Sequence, residues 1–155
     1  MTKKRGLRIE LIRSKLADIE ESVSLVEANL PPSFEEFSEL GLVKDGIYKR
    51  MEFAIESIID ILSIINSDLR LSIPEDEEDV VENLGRNGIL TQSMVDKVRR
   101  MKGFRNIIVH RYGRIDDLLA YKILTENLQD FGEFMESIEQ FLEESSARIK
   151  KLGGS

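Results

Sequence analysis

Apolar residues recur at steps of three and four along almost the whole chain, and that period restricts it to helices. Ile12, Leu16, Ile19, Val23, Val26 and Leu30 form one face of a first long helix, which Pro31 and Pro32 stop. Ser33 and Glu36 have capping-box spacing and open a short helix through Leu40, closed by Gly41. A second long helix is expected from about Asp45 to Ser67, with Ile47, Met51, Ala54, Ile58, Ile61 and Ile65 inward. Arg70 to Asp79 contains Pro74 and an acidic run, and reads as an exposed connection. Val80, Val81 and Leu84 suggest a short helix before Gly85 and Gly88. A third long helix starts near Thr91 or Ser93, carries Met94, Val98, Met101, Phe104 and Ile108, and loosens around His110 to Gly113. Asp116 can cap the next segment, and the last helices carry Leu118, Leu119, Leu124, Leu128, Phe131, Phe134, Ile138, Phe141 and Leu142. No strand and no internal repeat is legible. The expected fold is all-α, an up-and-down bundle of four or five helices. Residues 1–152 read as one domain and 153–155 as a flexible tail.

The 155 residues are 41% hydrophobic and 33% charged, the balance of a soluble globular domain. Cysteine is absent, which removes disulfides and thiolate metal sites and suits a reducing cytoplasm. No apolar run approaches the roughly 20 residues of a membrane span, and the N-terminus lacks the apolar core of a secretory signal. The net charge of −7 argues against a nucleic-acid binder, but the charge is unevenly distributed. Lys97, Arg99, Arg100, Lys102, Arg105, Arg111 and Arg114 lie within 18 residues that contain no acid. That stretch carries +7, leaving −14 on the rest of the chain against the overall −7. It reads as a local electropositive site for phosphates or for an acidic partner.

The single histidine, His110, lies in GFRNIIVHRYGRID. An imidazole titrates near neutrality and can move protons at physiological pH. The neighbouring arginines can grip phosphate oxygens in a fork. A proton carrier beside a phosphate clamp, with no cysteine and no metal cluster in the sequence, suggests phosphodiester chemistry without a metal or cofactor. Asn106 and His110 are four residues apart and share a helix face, so Asn106 can fix the imidazole tautomer. Arg105 lies five residues from His110, about 140° around an ideal helix. The two meet only if the helix ends near His110 or a second chain completes the site. One histidine per chain must also serve as both base and acid, and a two-fold homodimer would supply two.

The segment Arg105-Asn106-Ile107-Ile108-Val109-His110-Arg111-Tyr112 resembles the R-x4-H-x-Y signature of HepT proteins in the HEPN superfamily, with no departure at its three defining positions. The resemblance implies a HEPN-like bundle and a metal-independent endoribonuclease toxin. His110 would activate the ribose 2′-hydroxyl, and Arg105 would stabilise the phosphoryl oxygens. It further implies a cognate MntA-type minimal nucleotidyltransferase antitoxin that transfers AMP to Tyr112. Adenylylation there would add bulk and negative charge where RNA phosphate must sit. Arg111, Arg114 and Lys102 are the candidate RNA contacts.

Plainer readings stand beside each of these. His110 also fits a helix-end histidine bound to a carbonyl, Arg105 a surface ion pair, and Tyr112 a half-buried aromatic. Asn106 and the remaining basic residues fit an ordinary solvated surface. Asp60 interrupts the apolar run SIIDILSII and is a candidate supporting partner for an active-site arginine. It also belongs to a polar stripe with Glu52, Glu56, Ser63 and Ser67, which reads as exposed. The alternative function is a non-catalytic helical module that presents substrate or nucleotide to a nucleotidyltransferase. A scaffold bundle with a chance motif is the third.

Overall fold

The structure, a computed structural model, describes residues 6–109 and 114–152, and of 147–152 the backbone alone. Its described elements are α1 (Ile9–Asn29), α2 (Phe34–Ser38), α3 (Leu42–Asp68), α4 (Glu77–Arg86), α5 (Gln92–Ile108), α6 (Asp117–Asn127) and α7 (Gln129–Leu152). The four long helices α1, α3, α5 and α7 make the bundle, and α2, α4 and α6 lie in its connections. No strand occurs among the described residues. The all-α bundle read from periodicity is the observed fold.

α3 is the axis. Ile47, Met51, Ala54, Ile55, Ile58, Ile61, Leu62 and Ile65 are almost wholly buried. They pack against α1, α4 and α5, each large side chain contributing about 1.5–3 kcal/mol on burial. The α1 seam meets α3 as its spacing predicts, with Ile12, Leu16, Ile19, Val23 and Val26 buried. Ser33, Thr91 and Asp116 cap α2, α5 and α6 by accepting bonds from the amides of Glu36, Met94 and Leu119.

Three expectations need correction. α3 begins at Leu42, ahead of Asp45, because Gly41 takes φ +60° and turns the chain directly into it. Leu42 and Val43 are exposed, so the inward pattern starts later than the helix. The acidic run read as loop is partly helical: Asp76 accepts from the Asp79 amide, and Glu77, Glu78 and Asp79 form the first turn of α4. Acids there complement the helix dipole. Leu118 and Leu119 face outward, whereas Leu124, Phe131, Phe134, Ile138 and Leu142 join the core.

α4 is fixed to α3 by a buried amide network. Asn83 Nδ2 donates to Asn66 Oδ1 at 3.1 Å and to the Ser72 carbonyl at 2.8 Å. On the other side α4 approaches α5 at Gly85, where an added Cβ would meet Val95 Cγ2 at 2.9 Å. Gly46 in α3 has nothing within 4 Å of such a Cβ. Gly46→Ala is therefore expected to raise stability by about 0.5–1 kcal/mol through helix propensity. Gly85→Ala is expected to lower it by about 1–3 kcal/mol, because the stiff Val95 must shift. Urea denaturation of the two variants checks the opposite signs.

Candidate active site

Arg105 lies in the last turn of α5 and reaches across to the first residue of α4. Its Nη1 donates to Glu77 Oε1 at 3.2 Å and its Nη2 to Glu77 Oε2 at 2.8 Å. The pair sits at the surface between the helices, with Arg105 18% and Glu77 42% exposed at the side chain. The Arg105 guanidinium holds the Glu77 carboxyl below its usual range despite partial burial, and Glu77 in turn raises Arg105. Glu56 and Glu52 of α3 add to the negative field on Arg105.

The neighbouring bases are paired in the same way. Arg99 Nε donates to Glu78 at 2.6 Å, and Lys102 Nζ lies 3.5 Å from Glu78 and 3.9 Å from Glu77. Lys97 pairs with Glu133 of α7, and Arg100 with Asp130 at 3.1 Å. Five of the seven bases read as an electropositive stretch are thus matched by carboxylates of the same chain. The stretch does not present a bare +7, because α4 and α7 bring their acids against α5. Arg114 is exposed and makes no ion pair among the described residues.

α5 ends at Ile108, and Val109 is extended at φ −90°, ψ 104°. The helix therefore stops before His110, one of the two conditions under which Arg105 and His110 can converge. Asn106, expected to fix the imidazole tautomer, is exposed in the last turn of α5. His110, Arg111 and Tyr112 lie outside the described residues. Asp60 is not tied to Arg105. It is exposed and pairs with Lys15 of α1 at 3.2 Å, as the polar stripe suggests. Glu77, the partner that Arg105 does have, went unnoticed in the sequence. The signal for it was an Asp76 cap with acids in a first helical turn.

The sequence pattern of the family described as "Ribonuclease HepT-like" matches residues 19–138, a span that contains the whole Arg105–Tyr112 signature. The chain belongs to the HepT-like ribonuclease family. It is 26% identical over 129 residues to the mRNA nuclease HepT of Shewanella oneidensis, covering 83% of this chain and 96% of that one. A putative RNase of Archaeoglobus fulgidus is 31% identical over 98 residues, 63% of this chain and 74% of the relative. Among solved structures, the tri-AMPylated HEPN toxin of Shewanella oneidensis in complex with its MNT antitoxin superposes with a TM-score of 0.75. That match is 26% identical and covers 84% of this chain and 97% of that toxin. YutE of Bacillus subtilis, a cytosolic protein of unknown function, shares the fold at TM-score 0.75 and 16% identity, covering 90% and 93% of the two chains.

Two further features frame the signature of this HepT-like chain. The other side of α5 borders an apolar groove of about 270 Å³ lined by Met51, Met101, Phe104, Ile107, Leu124 and Phe131. Its walls suit hydrocarbon, not phosphate. No helix among the described residues is long and apolar enough to cross a membrane. Beyond the signature, the chain is anchored where α6 begins. Asp117 accepts from Tyr48 Oη at 2.5 Å and Lys44 Nζ at 2.8 Å. Burial pushes the Asp117 carboxyl up, but Lys44 and Tyr48 outweigh it and hold it below 3.8. Burial and the Asp117 carboxylate together push the Tyr48 phenol well above its usual range. Tyr48→Phe is expected to cost about 1.5–3 kcal/mol near neutrality, as a charged hydrogen bond is lost from a buried position. A group with a lowered folded pKa stabilises above its unfolded value and loses that contribution as pH falls through the folded one. The gap between wild type and Tyr48→Phe should therefore narrow below pH 3.8. Denaturation curves across that range check it.

Proposed function

We propose that this chain is the toxin of a toxin–antitoxin pair, a metal-independent endoribonuclease that works as a homodimer and is silenced by adenylylation of Tyr112. The observation that carries the reading is Arg105. It occupies the arginine position of the signature, is held in a fixed orientation, and lies just before the chain leaves the helix at Val109. The family match and the likeness to a HEPN toxin bound to an MNT antitoxin support the pairing.

In this reading His110 takes the proton of a ribose 2′-hydroxyl, and the 2′-oxygen attacks the adjacent phosphorus. The bond from phosphorus to the 5′-oxygen breaks, leaving a 2′,3′-cyclic phosphate and a 5′-hydroxyl. Protonation of that leaving oxygen by an imidazolium closes the proton balance, and a partner subunit supplies the second imidazole. Arg105 donates to the phosphoryl oxygens as charge builds on them. Arg111 and Arg114 contact the RNA backbone. Lys102, already facing two carboxylates, contributes from behind Arg105. Transfer of AMP from ATP to the Tyr112 oxygen, with release of pyrophosphate, places a phosphate where the substrate phosphate must lie. The transferase is a minimal nucleotidyltransferase of the MntA type.

His110→Ala is expected to slow RNA cleavage in EDTA by about 10²–10⁴-fold. Wild-type rates in the variant, or a complete need for added metal, would refute the mechanism. Co-expression with a cognate transferase should add AMP-sized mass to the peptide that contains Tyr112, and Tyr112→Phe should abolish the increment. The carboxylates around Arg105 favour a second reading, a non-catalytic module that serves the transferase. It predicts a wild-type chain that leaves growth unaffected when expressed alone and a transferase that requires it.

A further inference from the structure

We propose that Glu77 is the positioning residue for Arg105, orienting its guanidinium so that one edge stays open to a phosphate. The inference rests on the ribonuclease reading above.

A guanidinium has two forks. The end-on fork, one hydrogen from each Nη, is the one Glu77 occupies, with each carboxylate oxygen matched to its own nitrogen. The lateral edge, made by Nε and the second Nη2 hydrogen, makes no bond among the described residues. Two phosphate oxygens can therefore be gripped there while Glu77 remains in place. The pair lies between α4 and α5, where Arg105 keeps 18% of its side chain exposed.

Glu77 has what a positioning group requires, a rigid seat of its own. It is the first residue of α4, next to the Asp76 cap, and Lys102 Nζ lies 3.9 Å from its Oε2. α4 is held to α3 by Asn83, Asn66 and the Ser72 carbonyl, and abuts α5 at Gly85. Without that seat, the long Arg105 side chain would distribute over rotamers and meet the phosphate at a cost in entropy. The carboxyl stays below its usual range, so it is ionised wherever an imidazole titrates. Glu78 and Glu82 serve Arg99 in the same ladder, but Arg99 lies nearly two turns before Arg105 and away from the helix end.

The test is single-turnover cleavage of RNA in EDTA by the full chain, with RNA affinity measured separately. Glu77→Gln keeps the size of the side chain but removes its charge and one acceptor. Positioning predicts a cleavage rate lower by on the order of 10²-fold. RNA affinity should be equal to wild type or higher, because a negative charge has left the site. Glu82→Gln, which touches Arg99 and Arg86 but not Arg105, should leave both unchanged. Wild-type or faster cleavage by Glu77→Gln, with Arg105→Ala and His110→Ala both inactive, overturns the inference and leaves the ribonuclease standing. Wild-type cleavage by Arg105→Ala and His110→Ala overturns both. A second measurement does not depend on the fold tolerating Glu77→Gln. Methylguanidinium should restore cleavage to Arg105→Ala, and restore none in Arg105→Ala/Glu77→Ala. Equal rescue in the two backgrounds overturns the assignment.

Discussion

Burial of α3 is the constraint on which the rest of the molecule depends. An isoleucine-rich helix enclosed by α1, α4 and α5 leaves little room for charge on its buried face, where the one buried carboxylate, Asp68 in its last turn, is paired with Arg8. Charged residues of the surrounding helices must therefore lie at their edges, where helices meet each other over the surface of the core. α4 and α5 meet in that way, and their edges carry opposite signs. The ladder of Glu77, Glu78 and Glu82 against Arg99, Lys102 and Arg105 follows from core packing that forces these edges together. Singly, such partly exposed pairs contribute little to stability. What the ladder supplies is orientation, fixing where the guanidinium at the end of α5 points.

The helices were legible because their signals are local. Ser33, Thr91 and Asp116 cap where their hydroxyl or carboxylate is followed by a periodic apolar run, and the α1 seam is buried as its spacing indicates. The start of α3 was obscured because Leu42 and Val43 are apolar yet exposed, and the start of α4 because its first turn is acidic. Periodicity reports which face is buried, so a helix turn with no buried residue leaves no trace in it.

The candidate site was legible residue by residue but not in its relations. Arg105 could be named from the signature. Glu77 lies 28 positions away, in a segment that reads as loop, and only the packing of α4 on α5 brings the two together. Asp60 shows two local signals in conflict, an interruption of an apolar run and membership of a polar stripe, and the stripe is the one that agrees with its place at the surface against Lys15. The basic stretch misled through counting, since summing charge along the chain cannot register acids contributed by other helices.

That internal neutralisation changes the thermodynamics of meeting any polyanion. A lysine or arginine free in solution draws phosphate partly because counterions condensed on the nucleic acid are released to bulk, and the gain scales with the number of charges matched. On α5 the carboxylates already offset the charge of the bases they pair with, so the segment meets a polyanion with a much smaller net charge. Few ions are set free, and affinity should depend on ionic strength far less steeply than seven bases in 18 residues suggest. Discrimination would then rest on the orientation of a few donors, with the long-range field of an acidic chain slowing indiscriminate capture.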